Sequence, residues 1–138
     1  KVYMNYYRNH WEWIEGAKEA FDKIRSKYDV GIITNGFAET QWMKIRQFGF
    51  EEMVSQIVIS EEVGVMKPHP KIFDYSTELI GLDRSDILYV GDSLTSDVKG
   101  GKEAGWKVAW YTSNPNKAGI ELADLVFDDF DSLLKAIL

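Results

Sequence analysis

The feature that most constrains the fold of this chain is the alternation of short apolar runs with segments of helical periodicity. Runs that are apolar throughout are typical of strands buried on both faces, and a helix between successive strands makes neighbouring strands parallel. The sequence therefore predicts an α/β fold, a parallel sheet with helices on both faces. The predicted strands are 30–33, 56–59, 87–90, 107–110 and 125–127, and the predicted helices are 16–27, 39–48, 70–80, 95–104 and 132–138.

The composition fits one globular domain and argues against several classes of partner. Hydrophobic residues make up 45% of the 138 residues, which is enough for an ordinary core. The net charge of −6 argues against a nucleic-acid partner, and no apolar run is long enough to cross a membrane. Cysteine is absent, so disulfide and thiolate chemistry are excluded. We expect a cytoplasmic protein.

Several helix boundaries are signalled by single residues. Pro70 favours a helix start and Gly81 favours a helix end. Thr95 or Ser96 is predicted to cap the helix that follows the third strand, and Asp131 is predicted to cap the last helix.

Polar side chains follow two of the predicted strands, at the point where each strand ends. Thr34 and Asn35 come after the first run, and Asp92 comes after the run that ends in Gly91. Ligands of parallel sheets bind beyond the carboxyl ends of the strands. A hydroxyl and backbone N–H groups there can hold a phosphate oxygen, although Asn-Gly is also an ordinary turn pair.

Two carboxylates, Asp92 and Asp97, lie five residues apart in the stretch "GDSLTSD". Gly91 lets the backbone approach a ligand closely, and carboxylates at this spacing can converge on Mg²⁺. An acidic residue is also favoured at any helix N-terminus, so Asp97 has a purely structural interpretation too.

Lys67 lies in the proline-stiffened stretch "GVMKPHP". A cation held by a rigid loop can neutralise phosphate charge, whereas most lysines are simply solvated surface residues. The sequence leaves both interpretations open.

Three stretches together resemble a known family. "GIITNGF", "VISEEVGVMKPHPKIFDY" and "ILYVGDSLTSDVKGGKEAGW" resemble the second, third and fourth motifs of the haloacid dehalogenase-like (HAD) hydrolases. The resemblance runs from about Gly16 to the C-terminus and looks closest to the nucleoside 5′-monophosphatase subgroup. It implies a three-layer, Rossmann-like parallel sheet flanked by helices.

The resemblance also implies an activity, a cofactor and site residues. The activity is Mg²⁺-dependent hydrolysis of a small-molecule phosphate monoester through an aspartyl-phosphate intermediate. Thr34, Lys67 and Asp92 would be catalytic. By the same resemblance Thr34, Asn35 and Lys67 would bind phosphate, Asp92 would ligate Mg²⁺, Asp97 would ligate or orient it, and Ser93 would add a hydrogen bond near the metal.

The first motif of the family, Asp-x-Asp, is not found before "TNG". Residues 1–15 look like the C-terminal remnant of a helical cap, and residues 16–138 look like a partial core that lacks the central first strand. We therefore expect the nucleophile outside this chain, which alone would be inactive, and a second chain or a swapped segment in the central position. Asp129-Phe130-Asp131 has the Asp-x-Asp spacing near the C-terminus. This stretch fits better the short strand, cap and final helix with which the family normally ends.

Two other classes of protein remain as alternatives. Without a nucleophile the chain would act as a non-catalytic phosphate- or metal-binding fragment. A flavodoxin-like or response-regulator-like domain shares the alternation of strands and helices, but it does not account for all the spaced motifs.

Overall fold

The computed structural model describes residues 2–4, 16–113 and 119–138. These residues form a six-stranded sheet in the order β3-β2-β1-β4-β5-β6, with every neighbouring pair parallel. The predicted α/β class and parallel sheet are confirmed. The strands are β1 Val2–Met4, β2 Val30–Thr34, β3 Gln56–Ile59, β4 Leu88–Gly91, β5 Lys107–Tyr111 and β6 Leu125–Phe127.

Helices connect the strands and cover the sheet. The α-helices are α1 Ala17–Arg25, α2 Ala38–Gln47, α3 Ser60–Val63, α4 Pro70–Ile80, α5 Gly100–Glu103 and α6 Phe130–Ile137. A π-helical turn, Leu94–Lys99, precedes α5, and the short 3₁₀ turns are Phe50–Glu52, Arg84–Asp86 and Ile120–Leu122.

Two hydrophobic cores lie on opposite faces of the sheet, because successive side chains of a strand point to opposite faces. In β2, Ile32 packs with α1 and α6, whereas the next residue, Ile33, packs with α4. In β4, Val90 and Tyr89 are divided between the two cores in the same way. The chain is thus layered helix–sheet–helix, as the resemblance implied.

Most helix boundaries follow the local signals, but two caps differ from the prediction. Helix α4 begins at Pro70 and ends before Gly81, whose φ of 73° is left-handed, as predicted. The prediction of Thr95 or Ser96 as a cap is wrong, because the Ser93 hydroxyl accepts the Ser96 N–H at 3.1 Å.

The cap of the last helix also lies earlier than predicted. Asp129, not Asp131, caps α6, because one Asp129 carboxylate oxygen accepts the Ser132 N–H at 2.8 Å. Asp129 therefore has a structural function at a helix N-terminus.

The central position of the sheet is occupied, which corrects the expectation of a partial core that lacks its central strand. Val2–Met4 lies between β2 and β4, with Tyr3 opposite Gly31 on one side and opposite Tyr89 on the other. Unpaired edges of two neighbouring strands favour any extended segment that can complete their hydrogen bonds. Residues 2–4 were expected to belong to the helical remnant 1–15, but they form a strand.

The remaining residues of that remnant, 1 and 5–15, lie outside the described residues, and the domain boundary between 15 and 16 stays a prediction. Among the described helices, none has the length and apolar character needed to cross a membrane.

Candidate active site at the carboxyl edge of the sheet

The centre of the site is a buried ion pair between Lys67 and Asp97. The Lys67 Nζ atom lies 2.8 Å from Asp97 Oδ1, and the side chains are 2% and 0% exposed. The interpretation of Lys67 as a solvated surface lysine is therefore wrong. Burying two charges is costly unless they are paired and hydrogen-bonded, so this pair fixes the positions of both groups.

Tyr89 is the third member of this buried cluster. Its hydroxyl oxygen lies 2.6 Å from Lys67 Nζ and donates to Asp97 Oδ1 at 2.9 Å. The sequence analysis missed Tyr89, because a tyrosine within a strand is usually a core residue. The only signal was its position three residues before Asp92 on the strand that leads to the motif.

Asp97 also organises the backbone that carries Asp92. Its other oxygen, Oδ2, accepts the backbone N–H groups of Asp92 at 3.1 Å and Ser93 at 3.0 Å. Burial alone raises the pKa of Asp97, but the charge of Lys67 and the hydrogen bonds from Lys67, Ser93 and Tyr89 outweigh it and leave that pKa below its ordinary value. The carboxylate is ionised and fully engaged.

The π-helical turn and Gly91 make this arrangement possible. The Val98 N–H donates to the Ser93 carbonyl five residues earlier, which widens the first turn and directs Asp97 back toward the strand tip. A Cβ atom on Gly91 would lie 2.5 Å from the Asp97 Cβ, so only glycine fits there.

Asp92 lies exposed at the end of β4, beside the buried pair. Its carbonyl accepts the indole N–H of the buried Trp110 at 3.1 Å, a second contact that the sequence did not reveal. Its backbone is thus fixed from two sides, by Trp110 and by Asp97.

Asn35 joins the two loops of the site. Its side-chain oxygen accepts the Lys67 N–H at 2.9 Å, and its amide nitrogen donates to the Lys67 carbonyl at 3.3 Å. The Thr34 hydroxyl, which is nearly buried, donates to the side-chain oxygen of Gln41 at 3.2 Å. The structure therefore links the residues predicted from separate motifs into one contact network, although the Asn35 side chain itself holds the Lys67 loop.

The oxygen donors at the end of β4 meet the requirements of Mg²⁺. Asp92 offers oxygen ligands only, which suits a hard cation. Within residues 16–113 and 119–138 there is no group of three or more His, Asp or Glu side chains that could form a complete protein cage. Mg²⁺ usually keeps several waters and takes one or two carboxylates plus phosphate oxygens, so the residues present fit it.

Comparisons with known proteins identify the family of this chain. The haloacid dehalogenase-like hydrolase family matches residues 1–111. Pyrimidine 5′-nucleotidase YjjG of Escherichia coli is 43% identical over 102 residues, which are 73% of this chain and 45% of that protein. Glyceraldehyde 3-phosphate phosphatase of Pyrococcus furiosus is 31% identical over 129 residues, which are 90% of this chain and 54% of that protein.

Solved structures give the same result. The HAD-hydrolase YfnB of Bacillus subtilis, described as bound to magnesium, is 30% identical with a TM-score of 0.84, over 92% of this chain and 57% of that chain. A HAD phosphatase from Thermococcus onnurineus is 28% identical with a TM-score of 0.82, over 91% of this chain and 58% of that chain. The chain spans about half the length of the curated relatives named above. By sequence and by fold, the chain belongs to the haloacid dehalogenase-like hydrolases.

Proposed function

We propose that this chain is the larger part of the catalytic core of a Mg²⁺-dependent phosphatase that hydrolyses phosphate monoesters, with nucleoside 5′-monophosphates as substrates. The observation that carries the proposal is the buried Lys67 ammonium, paired with Asp97 and held by Asn35 at the carboxyl edge of a parallel sheet. A fixed cation in this position stabilises charge on a phosphoryl group without reorganising during the reaction.

Each residue of the site has a separate role in this proposal. Thr34 and the backbone N–H groups after β2 would bind the phosphoryl oxygens, and Lys67 would neutralise their charge. Asp92 would hold Mg²⁺, with Ser93 hydrogen-bonding nearby. Because both oxygens of Asp97 are hydrogen-bonded, we assign it to orienting Asp92 and Lys67. When bound, Mg²⁺ would supply positive charge that stabilises the transferring phosphoryl group.

The reaction itself needs an aspartate nucleophile. A carboxylate oxygen forms a bond to phosphorus as the ester P–O bond breaks, and a second aspartic acid protonates the departing alkoxide. Water then attacks the aspartyl-phosphate, gives its proton to that second carboxylate, and releases inorganic phosphate and the free aspartate.

We propose that this nucleophile comes from a segment outside residues 1–138, in the same protein or in a second chain. Met4 lies opposite Ile32 of β2 and Val90 of β4. Thr34 follows Ile32 by two residues, and Asp92 follows Val90 by two residues. The central strand therefore points between these two residues. The first carboxylate of the sequence is Glu12, so an Asp-x-Asp segment would have to take the place of β1.

The relatives of this chain carry the names of different phosphatase activities, so the nucleoside monophosphate assignment has a competing substrate. The Escherichia coli relative is named a pyrimidine 5′-nucleotidase, whereas the Pyrococcus furiosus relative is named a glyceraldehyde 3-phosphate phosphatase. The second candidate function is non-catalytic phosphate or metal binding, which the lack of a carboxylate on β1 favours for the isolated chain.

The test is release of inorganic phosphate from uridine 5′-monophosphate and glyceraldehyde 3-phosphate, with and without Mg²⁺. We expect no turnover by the chain alone and Mg²⁺-dependent turnover after an N-terminal Asp-x-Asp segment is supplied. The Asp92→Asn variant should abolish the recovered turnover, which excludes a contaminating phosphatase. Failure of every added segment to restore turnover would favour the non-catalytic function.

A further inference from the structure

A cavity of about 470 Å³ opens beside the phosphate-binding residues, within the size range of small-molecule sites. We propose that this leaving-group pocket binds the uncharged, planar organic part of the substrate, the base of a nucleoside monophosphate. This inference rests on the proposed phosphatase function and adds to it the place and the chemistry of substrate selection. The pocket is lined by Gly36, Phe37, Ser60, Glu61, Gly64, Val65 and Met66.

The position of the pocket follows from the chain. Gly36 directly follows Asn35, and Met66 directly precedes Lys67, so each wall is continuous in sequence with a residue of the proposed phosphate site. Asn35 binds the Lys67 backbone across the gap between these walls. A phosphate held at Thr34 and Lys67 would be bound by residues one or two positions in sequence from these walls, and we place its ester group in this cavity.

The walls are held in place before any ligand binds. The Ser60 hydroxyl accepts the Gly36 N–H at 3.0 Å and donates to the Gly36 carbonyl at 3.4 Å. One Glu61 carboxylate oxygen accepts the Ala38 N–H at 2.8 Å, at the start of α2. A preformed pocket loses less conformational entropy on binding than a flexible one.

The pocket exposes an aromatic ring and a thioether. Phe37 is 72% exposed and Met66 is 58% exposed, the two highest values among the large hydrophobic side chains in the described part of the chain. A planar base would cover both side chains, stacking on the ring and contacting the sulfur. A small polyol has no comparable apolar face.

The charge of the pocket selects against anionic leaving groups. Glu61 is the one charged residue among the described lining residues. A carboxylate or a second phosphate on the leaving group would be repelled by Glu61, whereas an uncharged base would not. The pocket therefore suits a nucleoside monophosphate better than a phosphorylated acid.

The first experiment observes the pocket directly in the intact chain. The four methionine methyl groups are labelled with ¹³C, and the signals of Met66 and Met43 are assigned with the Met66→Leu and Met43→Leu variants. Met43 is the matched control, because it is 56% exposed on α2 and does not line the pocket. Uridine, uridine 5′-monophosphate and inorganic phosphate are then titrated separately.

We expect uridine to shift the Met66 methyl signal in a saturable way and to leave Met43 in place. Uridine 5′-monophosphate should give the same shift at lower concentration, and Phe37→Ala should weaken its binding by about tenfold. The inference is overturned if uridine and its monophosphate leave Met66 in place, or shift Met43 equally. If the monophosphate binds no better than uridine, the pocket stands and the proposed phosphate site fails.

The second experiment tests selection by charge. Glu61→Gln keeps a side-chain oxygen for the Ala38 N–H but removes the negative charge. It should improve binding of 2-phosphoglycolate by about threefold relative to binding of uridine 5′-monophosphate. Equal changes for the two ligands, or no change for either, would contradict the assignment of Glu61.

Discussion

At the scale of single residues, the site depends on a hydroxyl that touches both members of a buried ion pair. The Tyr89 oxygen lies within 2.9 Å of both Lys67 Nζ and Asp97 Oδ1. Hydrogen bonds to charged groups in a dry environment are strong, and an ion that loses a partner there has no water to replace it.

We expect Tyr89→Phe to lower the free energy of unfolding by about 1–3 kcal/mol, because it removes a hydrogen bond from two buried charges. Urea unfolding measures the change. Tyr75→Phe is the matched control, since Tyr75 is 44% exposed on α4, and it should change stability by less than about 0.5 kcal/mol. Equal effects of the two variants would contradict the importance of the Tyr89 hydroxyl.

Asp97 should make stability depend on pH on the acid side. Its pKa in the folded protein lies below the ordinary value of 3.8, so the unfolded chain takes up a proton at higher pH than the native protein does. The stabilisation is therefore complete above the unfolded pKa and is lost as the pH falls through the folded pKa.

The measurement is urea unfolding of the wild type and of Asp97→Asn across a pH series from about 6 to about 3. We expect the wild type to lose stability more steeply below about pH 4 than the variant does. The pKa values of Asp124 and Asp129 are lowered too, so the difference between the two curves is the informative quantity. If stability falls equally with pH in the wild type and in Asp97→Asn, Asp97 is not the cause of the loss of stability at acid pH.

At the scale of secondary-structure elements, local signals predicted the fold well and long-range pairing was not predictable. Pro70 and Gly81 mark the ends of α4 because each acts on its own backbone. Val2–Met4 has no periodicity of its own, and only its two partner strands make it a strand.

The same distinction applies to the site. Lys67, Asp92 and Asp97 were predicted as site residues from their residue types and from motifs that resemble those of one family. Tyr89 and Trp110 contribute through contacts that only the packed structure brings about. The cap at Ser93 was missed because a π-helical turn widens the start of that helix, which no residue type signals.

The central strand can be tested through its backbone. We expect Tyr3→Pro to lower the free energy of unfolding by about 1–3 kcal/mol, because proline cannot donate a hydrogen bond to a neighbouring strand. Tyr3→Val changes the side chain but keeps the N–H, so the difference between the two variants isolates the backbone effect. Equal stability of both variants, measured by urea unfolding, would exclude Val2–Met4 from the sheet.

At the scale of the whole molecule, metal binding should appear as thermal stabilisation even without turnover. At Mg²⁺ concentrations about tenfold above its dissociation constant, the folded state gains about 1.4 kcal/mol, which raises Tm by about 3–6 °C. Asp92→Asn should remove this shift.

Asp86→Asn is the matched control for the metal experiment. Asp86 is an exposed aspartate at the opposite end of β4, so this variant should keep the full Mg²⁺-dependent rise in Tm. If Asp92→Asn and Asp86→Asn both keep the full Mg²⁺-dependent rise in Tm, the cation binds elsewhere on the molecule.

The position of β1 also affects the order in which the molecule can be assembled during synthesis. Most strands of the sheet lie beside a strand close to them in sequence, but Val2 pairs with Val30 on one side and with Leu88 on the other. Closing so long a loop is entropically slow compared with forming local pairs. On the ribosome, Val2–Met4 emerges long before Leu88, so this strand can pair with β2 early but completes its pairing with β4 only after residues 88–91 have been made.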